Sequence, residues 1–194
     1  MRMAVFASHG GSDLQAIMDG CREGKIPAEV VVVISNNGDS MALQRAAKAG
    51  IDHFHLSAKT EGSEEALSER ILALLSEYRV DMIFLAGYMR LLDPKILKRY
   101  EGHVYNIHPA LLPKYGGKGM YDMKVHQAVI AAGEKESGVT IHRVSPEYDS
   151  GEIVAQTRVP VLPDDTPESL KERVLNREHE FLVEVLADIA QKQA

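Results

Sequence analysis

Asn106, His108 and Asp149 put an amide, an imidazole and a carboxylate into one chain in a pattern suited to acyl chemistry. Asn106 and His108 stand two residues apart at the end of an apolar run, Val104 to Ile107, that reads as a strand. Side chains at that spacing share a face and can reach one substrate atom. Pro109 cannot donate to a sheet ladder, so it ends the strand and delivers the pair to the edge where open parallel sheets place ligands. Asp149 follows in the turn-forming segment Tyr148-Asp149-Ser150-Gly151. Moving a formyl group to an amine passes through a tetrahedral intermediate, and a site for it must stabilise an oxyanion and carry a proton from the attacking nitrogen to the leaving one. The Asn106 amide offers N–H donors to the oxyanion, a contact whose removal costs roughly 3–4 kcal/mol of barrier. His108 offers a second donor and exchanges protons near neutral pH. Asp149 raises the imidazole pKa by its charge and orients the ring, or acts through a bound water. The division of the proton steps stays open, as do the plainer readings of a capping histidine and a turn aspartate.

These groups need a scaffold, and the chain supplies strand and helix signals in alternation. Met3 to Ala7 reads as a buried strand, Ser8-His9-Gly10-Gly11-Ser12 as a tight turn, and Leu14, Ile17, Met18 and Cys21 as one face of a helix. Glu29 to Ser35 is β-branched and apolar on both faces, the pattern of a central parallel strand. A helix is expected from Met41 to Ala49, a short strand at His53 to Leu56, a helix through Leu67, Ile71, Leu74, Leu75 and Tyr78, and a buried strand at Met82 to Ala86. That rhythm predicts an α/β fold, a single-domain doubly wound, mostly parallel sheet with a Rossmann-like N-terminal half. The second half departs from it. After a loop at Tyr115 to Met120 and a helix from Val125 to Ala132, Val139 to Val144 and Ile153 to Val161 are joined by a segment too short for a helical crossover. They form an expected antiparallel C-terminal strand pair. Thr166-Pro167 opens a last helix expected to run to about Ile189.

Composition narrows the classes. A chain of 194 residues, 45% hydrophobic, buries a full core and suits one domain, 1–194. The net charge of −6 and the lack of a dense Lys/Arg run disfavour a nucleic-acid surface. Cys21 is the only cysteine, so there is no internal disulfide and no Cys-based metal site, which fits a reducing compartment such as the cytoplasm. No segment approaches roughly 18 consecutive apolar residues, and the short apolar start is too brief for a signal-peptide core, so neither membrane nor export is expected. The pairs His53/His55 and His103/His108 lack acidic co-ligands, and no metal is expected.

The run Asn106-Ile107-His108-Pro109-Ala110-Leu111-Leu112-Pro113 with the later Asp149 resembles the folate-dependent formyltransferases, and within them those whose acceptor is glycinamide ribonucleotide. The resemblance extends from Ser8-His9-Gly10-Gly11-Ser12-Asp13-Leu14-Gln15 through Leu85-Ala86-Gly87-Tyr88-Met89-Arg90 to Gly138-Val139-Thr140-Ile141-His142 and Arg177-Glu178-His179. It implies a formyltransferase fold, with about 1–100 serving nucleotide and phosphate binding and about 101–194 serving folate binding and catalysis. It implies Asn106, His108 and Asp149 as the catalytic trio with His142 beside them, and 10-formyltetrahydrofolate as co-substrate. Formyl transfer to the nucleotide amine is a step of de novo purine biosynthesis. Small-molecule substrates are the implied partners, with a monomer or homodimer as the assembly.

Gly10, Gly11 and Ser12 have an independent reading, backbone amides approaching a phosphate at a helix N-terminus. The family commonly carries Asn-Gly-Ser-Asn where this chain has Gly-Gly-Ser-Asp, so Asp13 brings a negative charge near that phosphate. Val174, Glu178, Leu182 and Val185 follow helical spacing and place a carboxylate on an apolar stripe, where it needs a partner. Two readings stand for Glu178: an ion pair with a nearby Arg or Lys, or, by the resemblance, a contact to the ribose hydroxyls or amine of the nucleotide. His179 reads as a packed structural imidazole. Leu85, Met89, Leu91 and Leu92 would wall the folate pocket with Tyr148, although apolar residues after a buried strand are ordinarily core. Arg90 would reach the folate tail or the site backbone. Tyr115 to Asp122 reads as a glycine-hinged lid or as a plain surface loop, with Lys114 or Lys118 as local positive charge.

Three competing functions remain. Formylation of an aminoacyl-tRNA shares the core residues but goes with a further C-terminal domain. Hydrolysis of the formyl-folate, with water in place of the amine, goes with an extra N-terminal domain. A nucleotide-binding regulatory domain without turnover is the non-enzymatic reading, and the intact trio speaks against it.

Overall fold

The apolar runs become the strands of one sheet, and the amphipathic segments between them become helices on its two faces. The computed structural model describes residues 1–193. In chain order the elements are β1 (Arg2–Phe6), α1 (Ser12–Arg22), β2 (Glu29–Ser35), α2 (Met41–Lys48), β3 (His53–His55), the single-turn α3 (Ala58–Glu61), α4 (Glu64–Glu77) and β4 (Met82–Leu85). They continue with α5 (Pro94–Arg99), β5 (Val104–His108), α6 (Met123–Ala131), β6 (Glu136–Arg143), β7 (Ile153–Pro160) and α7 (Pro167–Lys192). The strand order is β3-β2-β1-β4-β5-β6-β7. The first five strands run parallel, and β6 is antiparallel to both β5 and β7. The expected doubly wound α/β sheet with an antiparallel C-terminal pair is therefore the observed fold.

Alternation along each strand sorts the core into two halves. Met3 and Val5 of β1 with Met82 and Phe84 of β4 pack under α1, α2, α6 and α7, whereas Ala4, Phe6 and Ile83 face α4 and α5. Phe6, Phe84, Met3, Leu14 and Ile17 are fully buried, each contributing about 1.5–3 kcal/mol relative to exposure. The long α7 covers α1 and α6 with Phe181, Leu182, Val185, Leu186 and Ile189.

Two helices escaped the periodicity. α3 has four residues and none buried, and α5 has six, defined by the Asp93 cap on the Lys95 N–H and by Pro94 in its first turn. Neither is long enough to show a 3.6-residue repeat. β6 begins three residues earlier than its apolar run, because Glu136 and Ser137 pair with Pro160 and Val159 whatever their polarity.

Chain direction decides where a ligand can sit. β1 has β2 on one side and β4 on the other, so the connections leaving β1 and β4 diverge and open a crevice beyond the carboxyl ends of these strands. Most helices here are capped by side chains: Ser40, Ser57, Ser63, Asp93 and Thr166 each accept a first-turn N–H. α1 is different. Gly11, at φ 70°, precedes it with no side-chain cap, leaving its first amides open to that crevice. A Cβ on Gly11 would approach Ala42 Cα to 2.8 Å, so the turn lies against α2.

Candidate active site

The crevice deepens into a cavity of 740 Å³, within the usual range for small-molecule sites. The end of β5 and the start of β6 supply its polar floor. Val104, Asn106 and His108 alternate to one face of β5, and register pairs Asn106 with His142 and His108 with Thr140 on β6. α4 and α5 cover the same face further back but do not reach this end, so the polar side chains open to the cavity rather than to core.

Asn106 Nδ2 lies 3.0 Å from His142 Nε2 and 3.4 Å from Asp149 Oδ1. His142 Nδ1 is 2.9 Å from the Arg143 carbonyl and must donate to it, so Nε2 is the acceptor for the Asn106 amide. His108 Nε2 donates to the Tyr115 carbonyl at 2.7 Å, which leaves Nδ1 facing Asp149 Oδ2 at 3.6 Å. The donor expected for an oxyanion is thus engaged by the first residue of the 115–122 loop. Freeing it requires that loop to shift.

Asp149 is held in an unusual backbone conformation, φ 52°, which costs of order 1–3 kcal/mol in a non-glycine residue. Its carboxylate offsets this by accepting from Asn106 and from the Gly117 N–H at 2.9 Å. Gly151 fixes the same loop from behind, since a Cβ there would run into the Arg143 carbonyl oxygen.

Burial decides the charges. His108 is 5% exposed, and loss of solvent pulls its pKa below the ordinary imidazole value, outweighing the opposing charge of Asp149. Asp149 does push this pKa up, as its charge implies, but desolvation is larger and His108 is neutral near pH 7. For Asp149, burial pushes its pKa up, but the two neighbouring imidazoles, His142 first and then His108, and the Gly117 N–H outweigh it and hold the group below the usual carboxylate range.

Gly10, Gly11, Ser12 and Asp13 line the cavity on the side of α1, and Glu178 reaches it from α7. No lysine or arginine forms a salt bridge with Glu178 among the described residues, so the ion-pair reading is corrected. Its neighbour on the cavity wall is a second carboxyl, Asp13, brought alongside by the packing of α1 on α7, and burial pushes the pKa of both groups up. His179 is a partly buried imidazole beside this pair. Its side chain is 32% exposed and points Nε2 at Asp13 Oδ1, 3.5 Å away.

The opposite wall is apolar. Leu85 and Leu92 are buried in the core against α4 and α5 and also border the cavity, so core and wall are one surface. Met89, Arg90, Leu91 and Tyr148 complete it; Leu91 and Tyr148 are largely exposed, as is Arg90. Ser8 anchors this segment: its Oγ accepts the Met89 N–H at 2.8 Å and donates to Asn36 Oδ1 at 2.5 Å. Every residue singled out in the sequence as catalytic, nucleotide-binding or folate-binding borders this one cavity.

Sequence reasoning passed over His126, Lys171 and Ser8. His126, on α6, is 2% exposed with Nδ1 unpartnered, and burial, then the Lys171 charge, lowers its pKa to about 4. Its signal was a polar residue between Val125 and Val129 on a buried face. Lys171 pairs with Asp122 across the cavity mouth, and no local pattern marks a pair so distant in sequence. Among the described residues no group of three His, Cys, Asp or Glu is placed to hold a metal ion.

An amide, two imidazoles and a carboxylate at the end of a parallel sheet, between a helix N-terminus and an apolar wall, define a group-transfer site, and the chain belongs to the formyl transferase family, whose model matches residues 1–186. It is 40% identical over 180 residues to the phosphoribosylglycinamide formyltransferase of Haemophilus influenzae, covering 93% of this chain and 82% of that protein. Identity to the chloroplastic phosphoribosylglycinamide formyltransferase of Arabidopsis thaliana is 41% over 193 residues, covering 99% of this chain and 66% of that one, so the chain spans about two thirds of the plant protein's length. The crystal structure of glycinamide ribonucleotide transformylase 1 from Symbiobacterium toebii superimposes with a TM-score of 0.91 at 39% identity, over 99% of this chain and 88% of that chain.

Proposed function

We propose that this protein transfers the formyl group of 10-formyltetrahydrofolate to the amine of glycinamide ribonucleotide, giving formylglycinamide ribonucleotide and tetrahydrofolate in de novo purine biosynthesis. The observation that carries the reading is the convergence of Asn106, His108, His142 and Asp149 on one cavity bounded by the open α1 amides and by the apolar Leu85–Leu92 wall. The relatives' names supply the acceptor.

In this reading the nucleotide phosphate sits at Gly10, Gly11 and Ser12, where the helix N-terminus favours an anion. Glu178 and Asp13 face the ribose side, and Leu85, Met89, Arg90, Leu91, Leu92, His142 and Tyr148 receive the folate. The Asn106 amide, held by His142 through one N–H, gives up its long contact to Asp149 and donates the other N–H to the oxygen of the formyl group as the amine adds to it. Neutral His108 accepts the amine proton at Nδ1, and Asp149, ionised and 3.6 Å away, stabilises the imidazolium that results. The proton then passes to the folate nitrogen as the C–N bond breaks, so charge and atoms balance without a metal. We place the enzyme in the cytoplasm, as a monomer or homodimer; no helix among the described residues is long and apolar enough to cross a membrane.

A spectroscopic assay of 10-formyltetrahydrofolate loss, with and without glycinamide ribonucleotide, tests the reading, with His108→Ala as control. Acceptor-dependent turnover that the variant loses is the expected result. Turnover independent of acceptor would instead identify a hydrolase, and turnover only with a different amine would replace the acceptor.

A further inference from the structure

The turn that follows His108 is held by two side chains that no step of the proposed chemistry uses. Register across β5, β6 and β7 lines up His108, Thr140 and Gln156 in one row, and Thr140 is fully buried. The Thr140 hydroxyl donates its one hydrogen to the Ala110 carbonyl at 2.7 Å. Its oxygen accepts the Leu112 N–H at 3.1 Å and a Gln156 Nε2 hydrogen at 2.9 Å, and that amide also donates to the Leu112 carbonyl at 2.9 Å. A hydroxyl has one hydrogen and two lone pairs, and a side-chain amide nitrogen has two hydrogens, so each of these atoms is used to capacity. The Ala110 N–H closes the turn on the His108 carbonyl at 2.9 Å. Gly138 on β6 leaves room for the turn, since a Cβ there would come within 2.5 Å of Leu111 Cδ2.

We propose that Thr140 and Gln156 act as one clamp on the turn 108–112, fixing the His108 imidazole against Asn106 and Asp149 while the loop from Tyr115 onward shifts, and that both are positioning residues for formyl transfer. The inference rests on the reaction proposed above. Release of His108 Nε2 requires the Tyr115 carbonyl to move, and Tyr115 follows Leu112 closely in the chain. Without an anchor at Leu112 that movement would pass back through Pro109 to the end of β5, and His108 would travel with the group it must leave. With Leu112 pinned through both its N–H and its carbonyl, the displacement stops there. Asn106 needs no such anchor, because it lies inside β5 and is held by His142. His108 is the last residue of that strand, where the ladder gives least support. Neither Thr140 nor Gln156 borders the cavity, so their effect on turnover must reach it through the turn.

Steady-state kinetics of Thr140→Val, Thr140→Ser, Gln156→Met and the Thr140→Val/Gln156→Met double variant test this, together with hydrogen exchange at the Leu112 amide read by NMR. Gln156 is an exposed residue of the edge strand β7, so Gln156→Met tests the clamp without disturbing the core should Thr140→Val not fold. Thr140→Val and Gln156→Met should each lower kcat about 10- to 100-fold, the scale of a misplaced catalytic group, with both KM values within about twofold of wild type. Thr140→Ser keeps the hydroxyl and should recover most of the loss. The two losses should not multiply in the double variant, because the side chains share a bond. Exchange at Leu112 should quicken about tenfold in Thr140→Val and stay near wild type in Thr140→Ser. Unchanged kcat in the folded variants, KM values that rise as much as kcat falls, a serine variant as poor as the valine one, or losses that multiply would each overturn the positioning role. Wild type without turnover would fell the proposed reaction and that role together, whereas unchanged Leu112 exchange in Thr140→Val would overturn the clamp whatever the reaction.

Discussion

Asn106 and His142 face one another across the β5–β6 pair with Nδ2 and Nε2 3.0 Å apart, and the Arg143 carbonyl fixes which of them donates. The amide is oriented before any substrate arrives. Pre-orientation of this kind is what makes a donor effective toward a developing charge, because nothing need reorganise during the reaction.

Asn106→Ala should therefore lower kcat by about 10²–10³ with little change in the nucleotide KM. Steady-state kinetics at saturating folate checks this. A loss confined to KM would move Asn106 from transition-state stabilisation to binding.

The pH profile follows from the direction of the His108 shift. Burial lowers its pKa, so the neutral, proton-accepting form persists to below the ordinary imidazole value of about 6.5. Activity should rise through an acid limb lying below that pH. Asp149 raises the His108 pKa against burial, so Asp149→Asn should move the His108 titration to still lower pH while reducing kcat. Nitrogen NMR of the imidazole reads the titration directly, and a move to higher pH would contradict the sign.

Ser8→Ala removes the acceptor for the Met89 N–H at the start of the apolar wall. One neutral hydrogen bond is worth about 0.5–1.5 kcal/mol net, so the folate KM should rise roughly two- to tenfold while the nucleotide KM holds. Equal changes in both constants would mean a general loosening of the cavity.

Gly151→Ala must push the 145–151 loop off the Arg143 carbonyl. Asp149 rides on that loop, so the variant should lose kcat at least tenfold through misplacement of the carboxylate. Wild-type kcat in a folded Gly151→Ala protein would show that the loop position is not needed for turnover.

Glu178→Gln should stabilise the fold, and more so at alkaline pH. A carboxyl whose folded pKa is raised keeps its proton while the unfolded chain gives it up. Its contribution is full below the usual carboxylate range and is lost as pH rises toward the folded pKa, by about 1.4 kcal/mol for each step of one in pH between the two. Glutamine stays uncharged at any pH. Calorimetric melting at pH 5 and pH 8 checks that the gain in Tm, a few degrees at about 2–4 °C per kcal/mol, is larger at pH 8.

Much of this protein was legible in one dimension. Strands β1, β2, β4 and β5 are apolar runs bounded by turns, and the motif around Asn106 and His108 lies on one strand, where a two-residue spacing dictates a shared face. The α7 start was written in Thr166-Pro167, a local capping signal. α3 and α5 were not legible because four and six residues are too few for a period to show.

What the sequence by itself determined was which residues could do chemistry and that they would stand at the carboxyl ends of parallel strands; these depend on periodicity, chain direction and turn residues, all local. What only the tertiary structure decided was their state. Whether His108 is charged depends on how much water the cavity leaves it, and burial outweighs its one close carboxylate. Whether Glu178 meets a cation depends on which face of α1 lies against α7, a contact between segments far apart in the chain that no local pattern encodes. Desolvation and long-range pairing are properties of the packed molecule, and they set the protonation on which the chemistry depends.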